Sequence, residues 1–287
     1  MLKDVLKKAY WKLPLSSEFK NKLSAKRYER ILAKEAKADA RGDTLVFDDA
    51  ELLKEYAEYV LSSCGKRSEW YREYTEHEAR KSDVTLVAYY LTQFHPNHYN
   101  DEWWGRGTTE WNNVDQAVPQ FVGHYQPRRP GELGYYDLRV DDVMARQVEI
   151  AKNYGVGAFC FYYYWFNGKR LLEYPLNKFL NNQSLDMPFF YCWANENWTK
   201  RFSGTNADVL MAIEPTVESY QSFIEDVLAD FKDSRYYRID GRPVLSVYRP
   251  SMVPDTERVL RYWRKKAQEE LGTNLYVIAI QERDTTT

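Results

Sequence analysis

The chain has 287 residues, of which 44% are hydrophobic, and its formal net charge is -2 at pH 7. This length suits one large domain or two small ones, and the hydrophobic content excludes a chain that is disordered throughout. The near-neutral charge provides no field that would attract nucleic acid or an anionic membrane, so neither is predicted as a partner.

Residues 1–80 are predicted to form a helical extension that is rich in Lys, Glu and Ala. Helices are predicted over Ser16–Glu35, Asp48–Ser62 and Glu69–Arg80. The first 13 residues carry lysines and lack the apolar stretch of a signal peptide. No segment reaches the apolar length of a membrane span, and Cys64, Cys160 and Cys192 suit free, mostly buried thiols better than disulfides. The sequence therefore predicts a cytoplasmic protein.

Residues 81–287 are predicted to form a second domain of repeated strand and helix units. Strands are predicted over Thr85–Leu91, Val156–Trp165, Pro188–Trp193, Pro243–Tyr248 and Leu275–Ile280. Helices are predicted over Val140–Tyr154, Leu171–Asn181, Val217–Lys232 and Asp255–Leu271. Nearly continuous apolar strands indicate a parallel sheet buried on both faces, which is either an open doubly wound sheet or a barrel.

Two features favour the barrel. The segment after the first strand, Thr92–Pro96, is not the glycine-rich phosphate loop of a nucleotide-binding sheet. Polar and aromatic residues also follow each strand, as in barrels whose active sites lie at the carboxyl ends of the strands. Since five strands cannot close an eight-stranded barrel, the predicted fold is an incomplete (β/α)8 TIM-type barrel of about five units, apparently truncated at its C-terminus.

Several polar residues lie just after the predicted strands. They are Gln93, His95, Asn167, Asn195, Glu196, Arg249, Gln281 and Glu282. In a parallel barrel such positions converge on one mouth. Glu196 stands out, because Cys192–Trp198 sets this carboxylate between two asparagines and two tryptophans. Burial beside indoles would raise its pKa toward that of a general acid, while the alternative is a structural carboxylate that caps the following turn.

Cleavage of a glycosidic bond ordinarily requires a second carboxyl group. Glu110 is one candidate, since it lies in a predicted loop, Asn100–Trp111, that carries three tryptophans. Glu282 is the other candidate, but its neighbours are ordinary and a solvated charge explains it better.

The aromatic content also points to sugars, because it reaches 16% with 24 Tyr and 9 Trp. Aromatic rings stack on the flat faces of sugars, although they also fill ordinary cores. Stacking is predicted for Trp103, Trp104, Trp111, Trp165 and Trp198, and orientation of hydroxyls for Gln93, His95, His124, Gln126 and Asn195. Pro96 makes a helical pair of His95 and His98 improbable as metal ligands, so no metal and no cofactor are predicted.

A series of motifs occurs in one order along the chain. They are Tyr90–Pro96, Asp101–Gly105, Thr109–Trp111, Gly123–Pro127, Gly134–Leu138, Tyr163–Lys169 and Trp193–Trp198. Together they resemble the WbsX family over about residues 84–282. That family is similar to glycoside hydrolase family 99, the endo-acting α-mannan hydrolases, and its members often accompany genes for O-antigen and other surface polysaccharides, where they have been labelled glycosyltransferases. The resemblance implies a (β/α)8 barrel.

The resemblance also implies roles for particular residues. In family 99 a catalytic glutamate follows the third strand, and Glu196 stands at the matching position. The second glutamate of that family lies three residues later, where this chain has Thr199. Family 99 retains anomeric configuration through a 1,2-anhydro sugar without a metal, and Thr199 departs from the pattern on which that mechanism depends. A late segment with Asn-Glu-Trp, Glu-Gly and Leu-Glu-Pro is also lacking, in keeping with an incomplete barrel.

The sequence thus predicts a glycoside hydrolase or transglycosylase that acts on an oligosaccharide or polysaccharide of the bacterial surface, or on its lipid-linked precursor. One alternative is a truncated glycan-binding protein without catalysis. Transfer from a nucleotide sugar is another, ranked lower because neither a nucleotide-binding fold nor a clear Asp-x-Asp motif is found. The sugar, its linkage and the oligomeric state stay open.

Overall fold

The computed structural model describes residues 49–63, 67–79, 83–121, 123–199 and 209–281. The chain divides into two compact units. The first unit contains the described residues up to Tyr71 together with Gln116–Arg129, and the second contains Arg72–Asp115 and the described residues from Pro130 onward.

The first unit is built on helix α1 (Asp49–Ser63), which confirms the helix predicted there. Two tyrosines one turn apart on this helix hold the second segment of the unit. The Tyr56 hydroxyl donates a hydrogen bond to the Pro119 carbonyl at 2.6 Å, and the Gly123 N–H donates to the Tyr59 hydroxyl at 2.7 Å. The predicted helix Ser16–Glu35 and the thiol of Cys64 lie outside the described residues.

The second unit contains the sheet. Its strands are β1 (Leu86–Tyr90), β2 (Val156–Phe166), β3 (Lys169–Leu171), β4 (Phe189–Trp193), β5 (Trp198–Thr199), β6 (Val209–Met211), β7 (Arg238–Ile239), β8 (Arg242–Val247) and β9 (Tyr276–Ala279). The parallel strands lie in the order β1, β2, β4, β8, β9. Short antiparallel pairs join β3 to β2, β7 to β8 and β5 to β6.

Helices connect these strands. They are α2 (His98–Trp104), α3 (Glu110–Gln116), α4 (Asp141–Asn153), α5 (Tyr174–Asn181), α6 (Val217–Val227) and α7 (Thr256–Leu271), with single 3-10 turns at Asp230–Lys232 and Pro250–Met252. The predicted loop Asn100–Trp111 therefore contains parts of two short helices. In the described parts of the chain, no helix is both long and apolar enough to cross a bilayer.

The parallel strands follow one another across the sheet in the order in which they occur in the chain. A doubly wound sheet would reverse its strand order partway, whereas a barrel keeps one direction. The prediction of an α/β fold with about five units of a (β/α) barrel is thus confirmed. The sheet is open, because no pairing between described residues joins β9 to β1.

One face of this sheet packs against the helices through large aromatic side chains. The ring of Trp193 in β4 stacks on Phe223 of α6 at 4.0 Å and lies 6.0 Å from the ring of Trp263 in α7. All three side chains are fully buried. Burial of each such side chain contributes about 1.5–3 kcal/mol, so these contacts fix α6 and α7 on the sheet. Cys160 and Cys192 are buried free thiols, as predicted.

The predicted helix Glu69–Arg80 is wrong for the residues that the structure describes, because residues 71–79 carry no helix. Tertiary contacts explain the difference. Asn153 donates a hydrogen bond to the Tyr74 hydroxyl at 2.6 Å, and the rings of Tyr74 and His77 lie 6.1 and 4.9 Å from the ring of Tyr154. Packing of this segment beside α4 thus outweighs its helix propensity.

Candidate functional site

The residues that follow β4 and β8 are tied together at the carboxyl edge of the sheet. The side-chain amide of Asn195 donates to the Arg249 carbonyl at 2.8 Å, and its Oδ1 accepts from the Arg249 N–H at 2.7 Å. Asn195 is fully buried, so its amide is engaged by the protein. Asn195 therefore does not contact solvent, and its two hydrogen bonds hold the backbone of Arg249 in position.

Arg249 in turn faces the carboxylate of Glu196. Its Nη2 and Nε donate to Glu196 Oε2 at 3.2 and 3.3 Å, and each side chain is 35% exposed. A guanidinium at this distance stabilises a negative charge on the carboxylate. The sequence predicted a glutamate buried beside indoles, and the structure adds the guanidinium of Arg249 facing its carboxylate.

A group of aromatic rings lies beside these charges. The half-buried indole of Trp198 makes edge contacts with Tyr164, Phe166 and Trp103, at centroid distances of 5.2, 5.8 and 6.0 Å. The ring of Trp103 also lies 5.5 Å from that of Tyr99. Contacts from several sides hold the Trp198 indole in one orientation while leaving part of it accessible to solvent.

The buried Tyr164 hydroxyl is influenced by the charges of both candidate carboxylates. Burial raises the pKa of Tyr164 well above its ordinary value, and the negative charges of Glu110 and Glu196 raise it further. Sequence reasoning had left Tyr164 among the strand residues, and its ring contact with Trp198 adds it to the candidate site.

Glu110 has a different environment from Glu196. It is the first residue of α3 and is half-buried. Burial raises the pKa of Glu110, and a hydrogen bond from the Asn113 side chain opposes this effect in part. A carboxyl group with a raised pKa is suited to donate a proton.

Two further predicted residues lie just after β1. His95 is buried, and its Nδ1 donates to the Thr92 carbonyl at 2.7 Å, because a carbonyl can only accept. Burial lowers the pKa of His95, which favours the neutral ring with Nε2 as an acceptor. The buried Oε1 of Gln93 has no hydrogen-bond partner among the described residues.

The other predicted tryptophans differ in position. Trp111 is half-buried, donates from Nε1 to the Tyr136 carbonyl at 2.8 Å and lies 4.6 Å from the ring of Phe94. Trp104 is half-buried at the end of α2. Trp165 is fully buried against Trp193 and Phe223, on the helix-covered face of the sheet. Side chains alternate along a strand, so Trp165 points away from Tyr164 and is not brought to the site.

Three predicted residues are not among those that the second unit brings together. His124 and Gln126 belong to the first unit, where His124 Nδ1 accepts from the Gln120 N–H at 3.1 Å and its ring stacks on Phe121. Glu282 lies outside the described residues. Within the described ranges, no group of three or more His, Cys, Asp or Glu side chains is arranged to hold a metal ion.

Two bacterial proteins are similar to this chain in sequence. The protein WxcX, from two strains of Xanthomonas campestris pv. campestris, is 48% identical over 198 residues, which cover 69% of this chain and 28% of WxcX. The chain thus matches less than a third of the length of these relatives.

Two solved structures are distantly similar. A glycoside hydrolase-like protein gives a TM-score of 0.45 at 16% identity, covering 74% of this chain and 55% of that protein. The GH99 endo-alpha-mannosidase from Bacteroides thetaiotaomicron gives a TM-score of 0.41 at 10% identity, covering 71% and 57%.

The sequence profile of one family covers most of the chain, including every strand of the parallel sheet. Its match extends over residues 86–287 and contains Glu110, Tyr164, Glu196 and Arg249. On this match, the chain belongs to the family described as Glycosyltransferase WbsX.

Proposed function

We propose that this chain cleaves or transfers glycosidic bonds in a bacterial surface polysaccharide, or in its lipid-linked precursor, with Glu110 and Glu196 as its two carboxyl groups. Membership of a family described as glycosyltransferases supports a carbohydrate-active protein. The observation that carries the proposal is the Glu196–Arg249 ion pair at the carboxyl edge of the sheet, two residues before the partly accessible Trp198 indole.

The different environments of the two carboxyl groups suggest a division of roles. Glu110, whose pKa burial raises, would donate its proton to the glycosidic oxygen as the bond between that oxygen and the anomeric carbon breaks. Glu196, which is paired with Arg249, would stabilise the positive charge that develops on the sugar ring, or accept a proton from the attacking hydroxyl. Water as the acceptor gives hydrolysis, and a sugar hydroxyl gives transfer.

The aromatic residues beside these carboxylates would hold the sugar. The accessible part of the Trp198 indole is suited to stack on a pyranose ring, and Trp103 extends the aromatic surface next to it. Gln93, with its unpaired buried oxygen, would accept a hydrogen bond from a sugar hydroxyl.

A second candidate function is glycan binding without turnover. Thr199, where family 99 enzymes have a second glutamate, favours this alternative. It predicts that a glycan binds while no bond is cleaved.

Release of reducing ends from purified bacterial polysaccharides tests the proposal. Glu196→Gln and Glu110→Gln should each lower turnover by about 100-fold or more, the usual contribution of acid and base catalysis. Glu257→Gln serves as the matched control, because its side chain is 82% exposed on the outer helix α7. This control should leave turnover unchanged.

Unchanged turnover in Glu196→Gln would contradict the proposed role of that residue. The same assay with added nucleotide sugar separates the enzyme classes. Product that forms only when a nucleotide sugar is present would identify a nucleotide-dependent transferase instead. Binding without any product in the wild type would favour the non-catalytic alternative.

A further inference from the structure

A groove of about 560 Å³ lies between the start of α4 and the outer side of α5. This volume is within the range of about 300–1,000 Å³ that is typical of small-ligand sites. Met144 and Leu185 are buried and form an apolar part of its lining, while Asp141, Tyr174, Asn177 and Asn181 are among its polar residues. None of these residues has a role in the function proposed above.

The polar lining of the groove comes from one stripe of α5. Tyr174, Asn177, Lys178 and Asn181 recur at intervals of three and four residues, so they share one face of the helix. Tyr174 is 49% exposed. The side-chain amides of Asn177 and Asn181 have no hydrogen-bond partner among the described residues, so both are available to a ligand.

The charges in the groove compensate each other. Lys178 forms an ion pair with Asp141, and its ammonium group also donates to the Arg139 carbonyl at 2.6 Å. The charge of Lys178 is therefore neutralised by Asp141. What the groove offers to a ligand is the accessible ring of Tyr174 and the side-chain amides of Asn177 and Asn181. Rings stack on the C–H faces of sugars and amides both donate to and accept from hydroxyls, so this combination suits a neutral pyranose.

The groove begins near the end of the sheet that carries the candidate site. Because α5 follows β2 and its β3 hairpin, its first residue Tyr174 lies toward the carboxyl edge of the sheet, where Glu196 also lies. The Tyr174 ring is 6.2 Å from that of His95, which comes just after β1. One long glycan could therefore occupy both places.

We propose that the groove between α4 and α5 is a second binding subsite for neutral sugar units of a polysaccharide, separate from the carboxylates. The proposal rests on the proposed action of the chain on glycans. It predicts that the groove raises the affinity for long polymers and is not needed for turnover of short fragments.

The test uses the full chain and an array of purified bacterial O-polysaccharides, each as the polymer and as a short oligosaccharide. Tyr174→Ala and Asn181→Ala should weaken polymer binding by about three- to tenfold, which corresponds to the loss of one typical contact. Both variants should turn over short fragments at the wild-type rate. Tyr174→Phe keeps the ring and should keep most of the affinity.

The matched control is Gln268→Ala, which removes an exposed amide from α7 and should not change binding. Wild-type affinity for the polymer in both groove variants would overturn the proposal. An equal loss of short-fragment turnover would also overturn it, because the groove would then be part of the site that acts on those fragments. If the wild type bound none of the polysaccharides, the proposed function itself would fail together with the subsite. Loss of turnover without loss of polymer binding in Glu196→Gln would show that the two sites act separately.

Discussion

Asn195→Ala separates the positioning of the site from its chemistry. Asn195 contacts no solvent, and its amide holds both backbone groups of Arg249, the residue that faces Glu196. Tyr220 also forms a hydrogen bond with its side chain. The substitution removes these bonds without altering either charged residue.

The expected loss of stability in Asn195→Ala follows from the backbone groups of Arg249 that lose their hydrogen-bond partner. A buried backbone group that loses its partner costs about 1–3 kcal/mol, and Arg249 is only half-buried, so water can replace part of this loss. We therefore expect the free energy of unfolding to fall by about 2–3 kcal/mol, which corresponds to roughly 3–5 °C in Tm for a protein of this size. Because Arg249 is then no longer held opposite Glu196, kcat should fall while KM changes little.

Urea unfolding and steady-state turnover of a cleavable glycan measure the two effects. Asn181→Ala is the control for stability, since it alters an exposed amide and should change the free energy of unfolding by less than about 0.5 kcal/mol. If Asn195→Ala unfolded like the wild type, or lost affinity while keeping its kcat, the positioning role would be refuted.

Three other variants test further features of the structure. Arg235→Met should lower the free energy of unfolding by about 3–5 kcal/mol in urea, because the buried guanidinium donates to four carbonyls at and beyond the end of α5 and pairs with Asp233. Burial raises the pKa of Glu110, so the stability that its neutral form provides is lost as the pH rises through that pKa. At pH 8, Glu110→Gln should therefore have a higher midpoint urea concentration of unfolding than the wild type. The difference between the two midpoints should disappear toward about pH 4. Trp198→Ala should raise the KM for a glycan by about tenfold with a smaller change in kcat.

The regular elements of the second unit could be predicted because their sequence patterns are strong. Strand β2 is an uninterrupted apolar run, and its predicted range, Val156–Trp165, differs from the observed one by a single residue. Helix α7 ends at Gly272, whose φ of +69° is the left-handed cap that the glycine predicted. Helix α5 begins later than predicted because Lys169–Leu171 pairs with β2 as a short strand. Local propensity does not specify such a pairing.

The site could be predicted only in part, for a related reason. The rule that polar residues at strand ends converge located Glu196, Asn195 and Arg249. It could not show that Arg249 is the ion-pair partner of Glu196, because the two residues are 53 positions apart and meet only where β4 and β8 are neighbours. Likewise, Tyr164 and Trp165 look equivalent in the aromatic run of the sequence. Because side chains alternate along β2, their rings lie on opposite faces of the sheet.

A crystal structure of the full chain with a bound oligosaccharide would show whether Glu110 and Glu196 act on the glycan. We expect a sugar ring stacked on the Trp198 indole, with a glycosidic oxygen within hydrogen-bond distance of Glu110 and the neighbouring ring facing Glu196. A glycan bound away from both carboxylates, with Trp198 untouched, would contradict this expectation.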